Sequence, residues 1–418
     1  MKYYRFSDTL LNKVGFAVFM LLLQVLARST AYSNLWIGIE RSYIFTALVC
    51  AVMGLIFLIR NIRSLGSIIT DRRILLAVVV AVVVLVPMVA KGDWQMMYFS
   101  VLLCMLIPIF LSYFTTVKDV SRCYVLISAA LGAYSLVGLF LLKPLAQAGV
   151  ITANTFYSTG GWLMYDFGLT HSVILNNLGV PALRNFGIFR EPGLYQVFLF
   201  IAIVLNNEWT GWERPWLRWV LNGILMATLI TTFATGGVFA LGLYLVFLFF
   251  DEGFHRKKWA VLGALAVCVG GIGAIAVALA SGGTWAYELV GMVEKVYTMS
   301  TSLTYRLDSI FSNLDYFLHN PIFGERIATV LYAVEGNTAS TMILFAIFGF
   351  AGGVLHLASW AALLWKKERG GLGTLILAGI VFITFNTQNT THDLFFWMFP
   401  MLALAERGLP LLKFKKKG

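Results

Sequence analysis

The chain has 418 residues and a formal net charge of +11; 59% of its residues are hydrophobic, 12% are charged, and its mean hydropathy is +0.82. So much apolar surface cannot be hidden in the core of one water-soluble domain, and the composition therefore indicates an integral membrane protein. Runs such as ILLAVVVAVVVLVPMVA, residues 74–90, are apolar on every face, which excludes the alternating pattern of a transmembrane β-barrel. The four cysteines have no spacing typical of a disulfide framework or a zinc site.

Apolar segments follow one another along the whole chain. They predict about twelve transmembrane helices, near residues 13–27, 43–59, 74–90, 96–114, 123–142, 193–205, 217–232, 235–250, 259–280, 338–365, 374–387 and 394–405. The first segment follows basic residues, as in a signal peptide, but no clean small-residue cleavage site comes after it, and we read it as a retained helix. The predicted fold class is an all-α polytopic membrane protein in which residues 1–418 form a single membrane domain.

The distribution of basic residues predicts which side of the membrane each connection faces. With an even number of spans, both termini lie on one side. The termini and even-numbered connections hold 22 of the 31 Lys and Arg residues, against 9 in the odd-numbered connections. Both termini are therefore predicted to be cytoplasmic. The positive net charge is read as a signal of membrane orientation rather than of nucleic-acid binding.

Two of the outer connections are much longer than the usual few residues, and function is expected there. The first long loop covers residues 143–192 and the second covers residues 281–337. Both loops are rich in Trp, Tyr, Phe, Leu and Val, which favours segments folded against the membrane surface over disordered linkers.

The end of the first long loop places charges beside an apolar segment. In RNFGIFREPG, residues 184–193, Arg184, Arg190 and Glu191 directly precede the sixth predicted helix. An unpaired charge is costly at such a position. Planar guanidinium groups suit phosphate oxygens and keep their charge on partial burial, so the arginines are candidate anion ligands. The simpler alternative is that their side chains only reach the lipid headgroups.

The second long loop contains an amphipathic helix within TYRLDSIFSNLDYFLHNPIFGE, residues 304–325, ended by Pro321 and Gly324. Its apolar face consists of Ile310, Leu314 and Phe317, and its polar face of Arg306, Ser309 and Asn313. The polar face is expected to line a site. The simpler alternative for Arg306 is a surface ion pair with Asp308 or Asp315.

Four motifs occur in a fixed order along the middle of the chain. They are RNFGIFREPG, TTFATGGVFALGL at 231–243, YRLDSIFSNLDYFLHNPIFG at 305–324 and GNTAST at 336–341. Together they resemble the O-antigen polymerase and ligase superfamily, whose pattern combines Arg-x-x-Gly-x-Phe, a Thr/Ser- and Gly-rich helix start, an Arg before an Asn-Pro element, and an Asn that opens the next helix. The resemblance spans about residues 184–341 and implies a GT-C-like fold.

The resemblance implies glycan transfer from undecaprenyl diphosphate on the outer face of a bacterial cytoplasmic (inner) membrane, without a metal, nucleotide or other cofactor. An acceptor hydroxyl attacks the anomeric carbon, cations hold the leaving diphosphate, and a base takes the proton. The implied partners are an undecaprenyl-diphosphate-linked oligosaccharide, the lipid bilayer and a chain-length regulator protein, with no nucleic acid. The predicted catalytic residues are Arg184, Arg190, Glu191 and Arg306. The predicted substrate-binding residues are Asp308, Asn313, His319, Asn320, Glu335 and Asn337.

The identity of the base stays open among four residues, Glu191, Asp308, His319 and Glu335. We favour Glu191 because it neighbours the arginine pair. Ligases of the superfamily typically have a His directly before the Asn that opens the helix after the second long loop, whereas this chain has Gly336 before Asn337. That departure favours a polymerase over a ligase.

Three other kinds of protein remain alternatives. A lipid-glycan flippase or transporter is expected to carry charges within its helices, whereas the charges here lie in the outer loops. A metal-dependent membrane glycosyltransferase usually has paired acidic residues in an outer loop, but the first outer loop offers only Glu40. A binding or scaffold protein without turnover is also compatible with the sequence.

Overall fold

The computed structural model describes residues 10–25, 47–56, 71–158, 161–176, 181–251, 301–332 and 337–408, together with positions 27, 30, 31, 44 and 179. Within this part of the chain most residues are helical. The helices are α1 (Leu10–Val25), α2 (Ala47–Ile56), α3 (Arg72–Lys91), α4 (Met96–Leu111), α5 (Val117–Val137), α6 (Lys143–Gln147), α7 (Pro192–Glu208), α8 (Pro215–Thr231), α9 (Thr235–Phe250), α10 (Thr301–His319), α11 (Ile327–Tyr332), α12 (Ser340–Leu364), α13 (Gly370–Phe385) and α14 (Leu394–Arg407). A short π-helical segment, Gly138–Leu142, joins α5 to α6.

Each predicted apolar segment that the structure describes overlaps a helix, whereas α6, α10 and α11 lie in the two long loops; the predicted segment 259–280 lies outside the described residues. Among the described helices, three are long and apolar enough to cross a membrane: Arg72–Lys91, the continuous run Val117–Gln147, and Ser340–Leu364. Shorter apolar helices accompany them. A helical, membrane-compatible chain is therefore confirmed, and the number of twelve spans stays a prediction.

Local sequence explains where several of these helices begin and end. Asp71, Thr116 and Asp393 precede α3, α5 and α14, and each side chain accepts a hydrogen bond from a backbone N–H of the first turn. Helix α3 ends at Gly92, whose left-handed conformation closes the last turn. Pro192 occupies the first turn of α7, where its missing N–H costs nothing.

The first long loop differs from the all-α prediction because it forms a β-sheet. Strands β1 (Asn154–Tyr157), β2 (Leu163–Asp166), β3 (His171–Leu175) and β4 (Asn185–Gly187) pair in the order β1-β2-β3-β4, each antiparallel to the next. The sheet has a small core of its own, Met164, Val173, Ala182 and Phe186. The strands are only three to five residues long, too short for an alternating pattern to stand out in the sequence.

The second long loop contains α10 as predicted. Ser309 and Asn313, on the predicted polar face, are fully buried, whereas Leu314 of the predicted apolar face is 36% exposed. The other two residues of that apolar face, Ile310 and Phe317, are half-buried. The polar face is thus the more deeply buried of the two. Periodicity separates the faces of a helix without showing which of them meets the rest of the chain.

The Asn-Pro element that follows α10 packs into a break in α12. The helix is interrupted at Gly349, where φ is 64° and ψ is −160°. Phe350 N–H, freed by the break, donates to Pro321 O at 2.7 Å, and Lys91 Nζ donates to Ile347 O at 2.7 Å. The break is thus stabilised by hydrogen bonds that replace those the helix loses.

A charged cluster joins the connections at the end of the bundle formed by the C-termini of α7 and α9. The Arg369 guanidinium donates to Glu208 at 2.9 Å and to Asp251 at 3.1 Å. Lys366 adds a second contact to Glu208 at 2.8 Å. The side chains of Arg369 and Glu208 are each only 2% exposed. These four residues come from three even-numbered connections, which therefore lie together in the fold.

Candidate functional site

A cavity of about 760 Å³ lies at the opposite end of the bundle, between the sheet and the helices. Helices α7 and α9 begin at it, α13 ends at it, and one face of α10 covers it. Each of these segments belongs to, or borders, a connection that the sequence predicts on the outer side. The lining consists of Trp162, Arg184, Glu191, Pro192, Gly193, Phe233, Ala234, Thr235, Gly236, Phe239, Arg306, Leu307, Ile310, Gly379, Phe382, Ile383, Asn386, Thr387 and Gln388.

Three of the four residues predicted to be catalytic line this one cavity. Arg184 and Glu191 come from the end of the first long loop, and Arg306 comes from the second. The two loops are more than a hundred residues apart in sequence, so only the fold brings these side chains together. The spatial convergence that the motifs suggested is present for these three residues.

Arg184 is positioned by its neighbour Asn185, which anchors strand β4 to the helices below it. The Asn185 side-chain amide donates to Ser135 Oγ at 2.9 Å and to Thr231 Oγ1 at 3.1 Å. The Arg184 guanidinium lies over the ring of Trp162, 5.5 Å from its centroid, and such stacking fixes the orientation of a guanidinium plane. The two adjacent residues of the motif therefore have different roles: Asn185 is a buried anchor, and Arg184 is a cation that lines the cavity.

Arg306 reaches the cavity from α10 and has no ion pair or hydrogen bond among the described residues. The alternative of a surface pair with Asp308 or Asp315 is wrong, because Asp308 is exposed without such a contact and Asp315 lies beside His319. Burial lowers the pKa of the Arg306 guanidinium below its ordinary value, although arginine keeps its charge at neutral pH. A partly buried cation without a counter-charge favours an anionic ligand.

Glu191 and two helix N-termini complete the polar part of the cavity. Glu191 directly precedes α7, yet its carboxylate makes no capping hydrogen bond. Helix α9 likewise begins after Ala234 without a side-chain cap, and its own hydrogen bonds start with the N–H groups of Gly237 and Val238. The first N–H groups of a helix have no partner within it and carry partial positive charge, so both helix starts can bind an anion.

The floor of the cavity contains a strained turn between α8 and α9. Phe233 is the one described residue other than glycine with a positive φ, at 48°. Such strain concentrates at functional sites. Of the three threonines in the motif TTFATGGVFALGL, Thr235 lines the cavity. Thr231 accepts from Asn185, and Thr232 donates to Leu229 O, so these two hold the turn instead.

Arg190 does not belong to the cavity lining, in contrast to the sequence prediction that grouped it with Arg184. Its Nε atom is buried and has no hydrogen-bond partner in the described part of the chain. The two arginines are six residues apart, with β4 and the turn toward α7 between them. Of this pair, only Arg184 lines the cavity.

The predicted substrate-binding residues lie outside the lining wherever they are described. Asn313 and Asn337 bond to each other through both amides, at 2.9 and 3.0 Å, and are buried. Asn320 donates to Glu325, and His319 contacts Asp315 on the surface. Asp308 is exposed on α10, and Glu335 lies outside the described residues. The Asn-Pro element and the Asn that precedes α12 hold the fold around the cavity rather than line it.

Sequence reasoning missed a polar turn that also lines the cavity. Asn386, Thr387 and Gln388 follow α13, and the sequence prediction placed the first two inside a transmembrane segment. Thr387 Oγ1 accepts from Gln196 at 3.1 Å, which ties the turn to α7. The signal was the run NTQNTTHD, residues 386–393, whose amides and hydroxyls are unusual in so apolar a chain.

One wall of the cavity is apolar and partly open. Phe239 of α9 is 57% exposed and Ile383 of α13 is 39% exposed, although both line the cavity. Leu307, Ile310 and Phe382 add further apolar surface. A ligand with a charged head and a long hydrocarbon tail fits this division, because the polar ends of α7 and α9 lie beside an apolar side opening.

The fold and this cavity define the class: a mostly helical protein with membrane-compatible apolar helices and a cationic cavity at one end of its bundle. Within the described residues no three His, Cys, Asp or Glu side chains form a group that could hold a metal ion. Comparison with known proteins finds no protein-family profile, no curated protein and no solved structure that matches the chain. The functional proposal therefore depends on the cavity and on the resemblance of the motifs.

Proposed function

We propose that the chain is a bacterial polysaccharide polymerase that transfers a glycan from undecaprenyl diphosphate to the acceptor sugar of another lipid-linked repeat. One observation carries the proposal: Arg184, Glu191 and Arg306, drawn from two separate loops, line a single cavity that has an apolar wall. The products would be O-antigen, capsule or exopolysaccharide chains. The proposed site lies on the outer face of the cytoplasmic (inner) membrane, with both termini inside.

The reaction makes one bond and breaks one bond. The acceptor hydroxyl oxygen bonds to the anomeric carbon, and the bond from that carbon to the diphosphate oxygen breaks. Glu191 accepts the hydroxyl proton, while Arg184, Arg306 and the start of α9 stabilise the negative charge that grows on the diphosphate. These groups are in place before the reaction, which is what makes such electrostatic stabilisation effective.

The apolar wall supports a lipid-linked donor over a soluble one. Phe239 and Ile383 lie on α9 and α13, whose other exposed residues, such as Val246 and Leu375, are also apolar. A polyprenyl chain can enter from the surrounding lipid bilayer while its diphosphate reaches the arginines. A transporter remains the alternative of another class. The charges of the cavity lie at one end of the bundle rather than along a path through it, which favours the transferase.

Polymerase and ligase differ in the lipid-linked glycan that accumulates when the protein is removed. We expect cells without the protein to accumulate single repeats on undecaprenyl diphosphate, because each repeat then lacks the enzyme that joins it to another. Restoring the gene should restore long chains. Accumulation of full-length lipid-linked chains would instead indicate a ligase, and an unchanged lipid-linked pool would contradict both.

A further inference from the structure

The turn of residues 386–388 contains a polar side chain, Gln388, that has no role in the proposed reaction. Gln388 lines the cavity, and its side-chain amide has no hydrogen-bond partner among the described residues. Its backbone is held firmly, because Ser340 Oγ donates to Gln388 O at 2.5 Å and also accepts from Thr390 N–H at 2.7 Å. The amide is therefore positioned by its backbone while its own donors and acceptor stay open to the cavity.

Neighbouring residues of the same turn are occupied. Asn386 Oδ1 accepts from Thr341 N–H at 3.2 Å, and Thr387 Oγ1 donates to Thr384 O at 2.7 Å. These contacts fix the turn to α12 and α13. Gln388 differs from both because it lines the cavity while its side-chain amide makes no hydrogen bond to the described residues.

The position of Gln388 relative to Glu191 indicates which substrate it meets. A Cβ atom added to Gly193 would overlap Gln388 Nε2 and lie 3.0 Å from Gln388 Cδ. The amide thus lies against Gly193 in the first turn of α7. Gly193 follows the proposed base, Glu191, by two residues in the sequence. A base must be within hydrogen-bond reach of the hydroxyl that it deprotonates, so the acceptor sugar is the substrate nearest to this turn.

We propose that Gln388 binds hydroxyl groups of the acceptor sugar and so holds the acceptor beside Glu191, separate from the arginines that hold the donor diphosphate. The inference rests on the proposed polymerase function and specifies its acceptor site. A carboxamide offers both donors and an acceptor and carries no charge, which suits paired sugar hydroxyls better than phosphate oxygens.

The test separates the acceptor from the donor. Purified full-length protein is given a fixed, low amount of the lipid-linked repeat as donor and the same oligosaccharide freed from its lipid and diphosphate, in excess, as acceptor. Only products that carry no lipid are counted, because these alone form on the freed acceptor. The freed oligosaccharide can accept but cannot donate. Gln388→Ala is expected to raise the KM for this acceptor about tenfold, the effect of losing one hydrogen-bonding group. Its binding of undecaprenyl diphosphate should stay within about twofold of wild type, because that site is independent.

Gly193→Ala gives a second route to the same effect. Its added methyl group displaces the flexible end of the Gln388 side chain, so it should raise the acceptor KM as well. In the Gln388→Ala background the displaced atoms are gone, and Gly193→Ala should add nothing further. Gln147→Ala, at an exposed position near the end of α6 and outside the cavity lining, serves as the matched control and should leave the KM unchanged.

The outcomes distinguish the inference from the function on which it rests. If wild type elongates the repeat but neither Gln388→Ala nor Gly193→Ala changes the acceptor KM, the acceptor site is wrong and the polymerase stands. Weakened diphosphate binding in Gln388→Ala, or independent effects of the two substitutions, would also overturn the assignment. If wild type transfers no glycan and binds no undecaprenyl diphosphate, the proposed function itself fails.

Discussion

The two ends of the helix bundle hold their charged side chains in opposite ways. Around Arg369, cations and carboxylates contact one another: the guanidinium bonds to Glu208 and Asp251, and all of them are at most slightly exposed. In the cavity, Arg306 and Glu191 are partly buried, yet neither has an ion pair among the described residues. Both regions lie at the ends of the same helices. The depth of a side chain in the bundle therefore does not by itself explain why the charges are paired at one end and not at the other.

We interpret the paired charges near Arg369 as stabilising the fold and the unpaired charges in the cavity as binding a ligand. A buried charge is tolerated only when a partner or water compensates for its lost hydration. At the Arg369 cluster the partners are part of the chain. At the cavity the compensating anion is supplied, in our proposal, by the donor diphosphate. Substitutions should therefore affect stability at the first region and turnover at the second.

The largest effect is expected from breaking the Arg369 cluster. Arg369→Met leaves Glu208 and Asp251 buried without their main counter-charge, which should cost about 3–5 kcal/mol of unfolding free energy. Thermal unfolding of the purified protein in detergent, together with the amount found in membranes, measures this loss. Lys366→Met is the matched control, because Lys366 is 40% exposed and its contact with Glu208 should contribute at most about 1 kcal/mol. Equal stability of both variants would remove the contrast between the two ends.

Substitution of the cavity arginines should impair turnover with little effect on stability. Arg184→Lys and Arg306→Lys keep the charge but lose the planar fork, and each should lower polymer formation by about a hundredfold, equivalent to about 2–4 kcal/mol in the transition state. Polymer is measured at matched membrane levels. Arg214→Lys, at an exposed position before α8, is the control and should behave as wild type.

Arg190→Lys sharpens the same experiment, because Arg190 does not line the cavity. We expect a loss of less than about tenfold, since the substituted group has no direct contact with the diphosphate in this account. Near-normal amounts of polymer from both Arg184→Lys and Arg306→Lys would contradict the proposed diphosphate site, independently of the result for Arg190→Lys.

A smaller effect is expected where α9 packs on α7 beneath the cavity. A Cβ atom added to Gly237 would lie 2.8 Å from Gln196 Cβ, close to the backbone of α7. Gly237→Ala should therefore cost about 1–3 kcal/mol of stability through overpacking. Gly242→Ala in the same helix meets nothing within 4 Å and should be neutral, or stabilise by up to about 1 kcal/mol through helix propensity. A stabilised Gly237→Ala variant would show that the two helices pack less closely than described.

The sequence was sufficient to predict the helices and part of the site. Runs that are apolar on every face mark buried or membrane helices directly, so segments such as 235–250 and 394–405 lie within the observed α9 and α14. Arg184, Glu191 and Arg306 could be selected because charges are rare and costly in so apolar a chain. Their convergence required the resemblance of the motifs, since the two loops are far apart in sequence.

Other features could not be predicted for physical reasons. The strands of the sheet are too short for a period-two pattern; in addition, β1 is mostly exposed and β2 is mostly half-buried, so neither has one clearly buried face. Asn313 and Asn337 were predicted to bind the substrate, because an amide in a motif bonds equally well to a substrate or to another amide. Gln388 was overlooked because a short polar turn between two apolar segments has the composition of an ordinary connection.

The most direct test of the account is chain elongation by the purified protein. Wild type, given only the undecaprenyl-diphosphate-linked repeat in the presence of a metal chelator, should form longer lipid-linked chains, because Arg184 and Arg306 rather than a divalent ion hold the leaving diphosphate. The double variant Arg184→Lys/Arg306→Lys should form none at an equal amount of folded protein. Absence of elongation by wild type, elongation that returns only with added Mg²⁺ or Mn²⁺, or full elongation by the double variant would each contradict the account.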